Sequence, residues 1–139
     1  MLKWARKRSL WIYHLNAGGC NGCDIELLAT LASKYDPERL GVKLVGSPKH
    51  ADIIIVIGPI NWKNVDKVKE VIKQTPEPKK VIALGSCAIS GGVFAGSYNI
   101  AGPADKLFKV DLYVPGCPPK PEAIIAAIKK MAEELGAGK

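Results

Sequence analysis

Residues Asp52-Ile53-Ile54-Ile55-Val56-Ile57 place an unbroken apolar run behind one acidic side chain, and Gly58-Pro59 closes it. A strand with one wet face would alternate apolar and polar residues, so a run without alternation belongs to a strand covered on both faces. That requirement points to a parallel sheet with helices above and below. Residues 10–15, 42–45, 81–84 and 112–114 read as four more short strands. Between them, Ile25, Leu27, Leu28, Leu31 and Ala32 repeat at helical spacing within 24–34, and Val65, Val68, Val71 and Ile72 do the same before Pro76 and Pro78 stop the helix. Pro121 suits the first turn of a last helix with Ala123, Ile124, Ala127, Ile128, Met131 and Leu135 as its apolar stripe, and Gly136 and Gly138 are expected to end it. Residues 91–102 show no period and are expected to form a long loop, a lid or a partner contact. The order strand, loop, helix, repeated, predicts a doubly wound α/β sheet with right-handed crossovers. At 139 residues the chain suits a single domain spanning 1–139.

The chemistry sits where this topology would gather it. The chain has four cysteines, Cys20, Cys23, Cys87 and Cys117, each in a turn rich in glycine or proline. Cys20 follows the first predicted strand, Cys87 the fourth and Cys117 the fifth. In a doubly wound sheet the carboxyl ends of the strands open onto one edge, so all four sulfurs are expected to meet there. Four thiolates complete the coordination sphere of one iron-sulfur cluster or one zinc ion and leave none for a disulfide. Gly18-Gly19, Gly22, Gly85, Gly91-Gly92 and Gly116 let the backbone turn tightly and are expected to aim amide N–H groups at the metal site. The same residues are ordinary turn punctuation, and that reading stands beside the functional one.

Other chemistries find less support. Structural zinc sites usually take thiolates as two close pairs, whereas only Cys20 and Cys23 are paired here. A thioredoxin-like CxxC dithiol would leave Cys87 and Cys117 unused. Gly18 to Gly22 lacks the Gly-Lys-Ser/Thr ending of a phosphate loop. His14 and His50 have no partner at ligand spacing and are expected to be packed or solvated. Glu26, three residues past Cys23, has two readings: it caps the helix dipole, or it transfers protons beside a redox centre. No nucleophile, base and acid set is evident, so no catalytic residue is assigned to this chain alone.

The net charge of +7 is compatible with nucleic acid, an acidic membrane surface or an acidic protein. Most lysines lie on predicted helix faces as solubilising charge, and no nucleic-acid partner is expected. Lys3, Arg6, Lys7 and Arg8, set between Trp4 and Trp11, make residues 1–9 either a basic docking segment for a membrane or a subunit, or a frayed solvated tail. No apolar run approaches the roughly 18 residues needed to span a bilayer, and no cleavable leader is seen, so a reducing cytoplasmic setting is expected.

Three ordered segments carry a resemblance: Cys20-Asn21-Gly22-Cys23-Asp24-Ile25-Glu26, then Gly85-Ser86-Cys87-Ala88-Ile89-Ser90-Gly91-Gly92, then Val114-Pro115-Gly116-Cys117-Pro118-Pro119-Lys120-Pro121-Glu122-Ala123. They resemble the cluster motifs of the small subunits of membrane-bound, energy-converting nickel-iron hydrogenases, a family that includes the 20 kDa, or B, subunit of respiratory complex I. The resemblance implies a flavodoxin-like fold with one proximal 4Fe-4S cluster on Cys20, Cys23, Cys87 and Cys117. It also implies electron transfer to or from an active site in a hydrogenase-like large subunit. A ferredoxin-like iron-sulfur subunit and membrane subunits would complete the complex, at the cytoplasmic face of the membrane. Complex I relatives begin this site with adjacent cysteines, whereas here two residues intervene, and Ile60-Asn61-Trp62-Lys63 lacks the Thr-Arg of the quinone-reducing side. The first departure resembles the hydrogenase side, and the second speaks against quinone chemistry. Small subunits of quinone or sulfur-compound reductases and of formate hydrogenlyase-type assemblies remain alternatives, as does a Cys₄ zinc module without a redox role.

Overall fold

The computed structural model describes residues 2–137. In chain order the elements are α1 (Leu2–Arg8), β1 (Leu10–Asn16), α2 (Gly22–Leu31), β2 (Val42–Val45), β3 (Ile53–Ile57), β4 (Ile60–Asn61), α3 (Val65–Gln74), β5 (Lys80–Leu84), α4 (Ser86–Ser90), β6 (Ile100–Gly102), α5 (Ala104–Leu107), β7 (Leu112–Val114) and α6 (Pro121–Ala137). Short 3₁₀ turns occupy Pro37–Leu40, Pro48–His50 and Gly92–Phe94. Five strands form one parallel sheet in the order β2-β1-β3-β5-β7. This is a doubly wound α/β fold of flavodoxin-like order, in which the chain leaves β1 for one side through β2 and returns to the other through β3.

β3 is the central strand, and each of its five residues is at most 1% exposed. Its alternate side chains serve two cores. Ile53, Ile55 and Ile57 pack with Leu27 of α2 and Ile124, Ile128 and Met131 of α6, whereas Ile54 and Val56 pack with Val65, Val68 and Ile72 of α3 and with Ala88 of α4 and Ala104 of α5. The missing alternation in the sequence thus has its physical cause in a helix layer on each face.

Several expectations are corrected. α2 covers Gly22–Leu31 instead of 24–34, because Ala32 adopts an extended backbone at the C-cap. α6 runs through Gly136 to Ala137, so Gly136 does not end it, and Gly138 lies outside the described residues. Gly136 packs closely on α1: a Cβ there would meet the aliphatic stem of Lys7 at 3.3 Å. Residues 91–102 are not a plain loop. They hold a 3₁₀ turn and β6, which pairs antiparallel with β4 beside the main sheet. The basic N-terminal segment is helical as α1 and packs against α6, so the frayed-tail reading fails for residues 2–8. Arg8 stacks over the Trp4 ring at 4.8 Å and Lys43 over Trp11 at 5.8 Å.

Candidate metal centre

The four cysteines are brought together. Cys20 lies in the loop after β1, Cys23 in the first turn of α2, Cys87 in α4 just after β5, and Cys117 just after β7. Their side chains border a single cavity at the carboxyl edge of the sheet, completed by Gly19, Gly22, Ile57, Gly58, Ser86, Gly116 and Pro118. None is in a disulfide; Cys20 and Cys117 are exposed, and Cys23 and Cys87 are half-buried.

Close backbone packing sets these positions. Gly58 has φ +87, and a Cβ on it would fall 2.3 Å from the Gly19 nitrogen, so the turn after β3 supports the Cys20 loop from below. Gly85 has φ 86 and ψ 157, a conformation open essentially to glycine alone, and a Cβ there would come within 2.6 Å of Cys23 Sγ. The Cys87 and Cys117 loops are tied by the Ser86 amide and hydroxyl, which donate to the Gly116 carbonyl at 2.9 and 3.2 Å.

Electrostatics report the same convergence. Burial first, and then the neighbouring Cys87, Cys20 and Cys117 and the Asp24 carboxylate, push the Cys23 thiol from an ordinary 9.0 to about 11. Burial, with Cys117 and Cys20, also raises Cys87. Thiols that disfavour each other's ionisation are suited to a cation that relieves the crowded negative charge. Among the described residues, no three His, Cys, Asp or Glu side chains are grouped as ligands of a single ion. Four thiols bordering one cavity are a donor set suited to a metal ion or a metal cluster.

The expected roles of three groups change. The amides of Gly18 and Gly19 do not serve the metal cavity, since both donate to Asn16 Oδ1 at 2.8 Å. The carboxylate in the first turn of α2 is that of Asp24, while Glu26 lies beyond that turn, where the helix dipole acts weakly. Asp24 is therefore better placed than Glu26 to meet the helix dipole. His14 is packed, as expected, yet it has a partner, because Nε2 donates to Asp24 Oδ1 at 2.5 Å. His50 is exposed and meets Trp11 edge-on with ring centroids 6.1 Å apart.

Asn16 and Asp24 escaped the sequence reading. The available signal was an asparagine two residues before a glycine pair, a pattern in which the side chain readily accepts nearby amides.

A doubly wound sheet with four thiols converging at its carboxyl edge defines the class: an α/β fold carrying a candidate metal centre. The family described as "NADH ubiquinone oxidoreductase, 20 Kd subunit" matches residues 20–131, from the first cysteine into α6. The chain belongs to this family, which unites the complex I 20 kDa subunit with nickel-iron hydrogenase small subunits. It is 52% identical over 128 residues to the probable membrane-bound hydrogenase subunit mbhJ of Pyrococcus furiosus, covering 92% of this chain and 77% of that one. It is 44% identical over 136 residues to an NADH-quinone oxidoreductase subunit of Geotalea daltonii, covering 98% of this chain and 78% of that one. Among solved structures, a chain of the archaeal membrane-bound sulfane sulfur reductase superposes with a TM-score of 0.85 at 37% identity, covering 99% of this chain and 76% of that one. No helix among the described residues is long and apolar enough to cross a membrane.

Proposed function

We propose that Cys20, Cys23, Cys87 and Cys117 hold one 4Fe-4S cluster and that the chain is the electron-transfer small subunit of a membrane-bound, hydrogenase-like oxidoreductase complex. When bound, such a cluster supplies one-electron transfer between redox partners. The chain's own residues hold and orient the four thiolates, and Ile57, Gly58 and Pro118 line the cavity beside them. The observation that carries this reading is the convergence of four thiols from three separate chain segments on one cavity with no disulfide. Family membership supports it, and the CxxC spacing and the similarity to mbhJ favour the hydrogenase branch.

Apolar side chains close in sequence to Cys23 and Cys87 are also exposed. Ile25 and Leu28 of α2 are 64% and 58% exposed, and Val93, in the 3₁₀ turn after α4, is 88% exposed. Exposed apolar residues on the segments that carry or follow the cysteines suit the docking of a large subunit, with a ferredoxin-like subunit and membrane subunits in the same assembly on the cytoplasmic face. The basic α1 is assigned to docking in that assembly. Glu26, half-buried and beyond the first turn of α2, is assigned to proton transfer beside the redox centre. Glu26→Gln then slows turnover of the complex without changing iron content, and unchanged turnover removes that role.

The test of the cluster is anaerobic purification with iron, sulfide and zinc analysis and electron paramagnetic resonance after dithionite reduction. A brown protein with about four irons and four sulfides per chain is expected. Stoichiometric zinc without sulfide in a colourless protein overturns the reading.

A further inference from the structure

A polar chain behind the metal cavity joins both ends of the Cys20–Cys23 loop. Asn16, the last residue of β1, uses both ends of its carboxamide. Its Oδ1 accepts from the Gly18 and Gly19 amides at 2.8 Å each, immediately before Cys20, and its Nδ2 donates to Asp24 Oδ2 at 2.6 Å, immediately after Cys23. The other Asp24 oxygen accepts from His14 Nε2. The Asp24 side chain is only 14% exposed, so its charge relies on these two donors in place of water.

The loop needs such a brace. Gly18 sits at φ +125, and Asn21, a residue with a Cβ, is held at φ 70. Conformations of this kind persist only where the surroundings over-determine them. On one side the loop rests on β3 and its turn, through the Ala17 amide donating to the Ile57 carbonyl at 2.8 Å and through Gly19 against Gly58. Asn16 supplies the other side. A carboxylate at this position would accept both amides but repel Asp24, and a hydroxyl would lack the second arm.

We infer that Asn16 is a positioning residue for the metal centre, fixing the Cys20-to-Cys23 span by engaging both ends of the loop, with Asp24 as its anchor and His14 holding that anchor. The inference rests on the cluster reading above. By occupying the Gly18 and Gly19 amides, Asn16 also keeps two donors away from the metal ligands, and donors near a cluster tune its potential.

The test uses the anaerobically purified full-length chain, with iron release to excess 2,2′-bipyridine and the spectrum and midpoint potential of the reduced protein. Asn16→Ala removes hydrogen bonds worth roughly tenfold in rate, and it shifts the midpoint potential and the g values. Asn16→Asp behaves as badly, since two carboxylates then face each other. The double variant Asn16→Asp with Asp24→Asn exchanges acceptor and donor while conserving charge, and it restores slow release and native-like g values. Wild-type release, potential and g values in Asn16→Ala overturn the inference, and so does a double variant no better than Asn16→Asp. Wild-type protein without iron and sulfide instead overturns the cluster reading, and this inference with it.

Discussion

Gly85→Ala probes the site through the closest glycine contact to a cysteine sulfur. The new methyl group meets two obstacles. The first is backbone strain, because φ 86 with ψ 157 is a glycine conformation, costing about 1–3 kcal/mol for any other residue. The second is steric, because the methyl carbon would lie 2.6 Å from Cys23 Sγ, and overpacking of this kind costs about 1–3 kcal/mol more. The sum of about 2–6 kcal/mol falls short of the roughly 7–20 kcal/mol expected for a domain of this size. The variant therefore folds, with a Tm lower by about 6–24 °C at about 3–4 °C per kcal/mol. Relief of the overlap would turn the sulfur out of the cavity, so iron is lost together with stability.

Two other glycines separate the contributions. Gly96 has φ +82 with open space where a Cβ would stand, so Gly96→Ala pays the backbone cost of about 1–2 kcal/mol alone and keeps its iron. Gly46 meets nothing within 4 Å and has no positive φ, so Gly46→Ala is nearly neutral. Thermal denaturation and iron analysis of the three variants, purified anaerobically, check the ordering. A Gly85→Ala protein with wild-type Tm and full iron would refute the placement of Cys23.

Cys87→Ser and Cys117→Ser each remove one of the four sulfurs, and iron analysis is expected to show loss of most of the metal, with folding impaired because the ligand loops are tied together through it. In the chain stripped of metal, the raised Cys23 thiol, at about 11 against an ordinary 9.0, is alkylated by iodoacetamide about 100-fold more slowly at pH 8 than a free cysteine. Because its pKa is raised, the thiolate forms only as pH climbs toward 11, and peptide mapping across pH reads that rise; rapid modification at pH 8 contradicts it. Asp111 accepts from the Val81 amide at 2.9 Å and pairs with Lys80, which also reaches Glu134 at 3.3 Å. Asp111→Ala leaves a mostly buried lysine with one partner and is expected to cost about 2–4 kcal/mol in thermal denaturation, with iron content unchanged.

The parts of this molecule legible from sequence were those whose cause is local. The run from Ile53 to Ile57 had to be covered on both faces, and the apolar stripes of α3 and α6 follow from helical spacing alone. With the parallel sheet inferred, the cysteines' places after their strands carried the site, because a doubly wound topology sends every strand's carboxyl end to one edge. β4 and β6 were hidden for the opposite reason. They hold two and three residues, with Gly102 at φ +139 in the second, and no periodicity develops over so short a stretch. Their pairing arises from contact between segments far apart in the chain.

The glycine pair before Cys20 shows where reasoning from residue type stops. Two glycines beside a metal ligand offer their amides to the nearest acceptor, and composition alone favours the metal. Here the nearest acceptor is Asn16 Oδ1, brought to the loop because β1 ends there and because Asp24 on α2 pulls on the other arm of the same carboxamide. The four cysteines are thus placed by topology, whereas the loop before Cys20 is held by one short polar side chain. That division explains why the convergence of the cysteines could be read from one sequence and the Asn16 hydrogen bonds could not. A ligand is recognised by what it is, but a brace only by what stands on both sides of it.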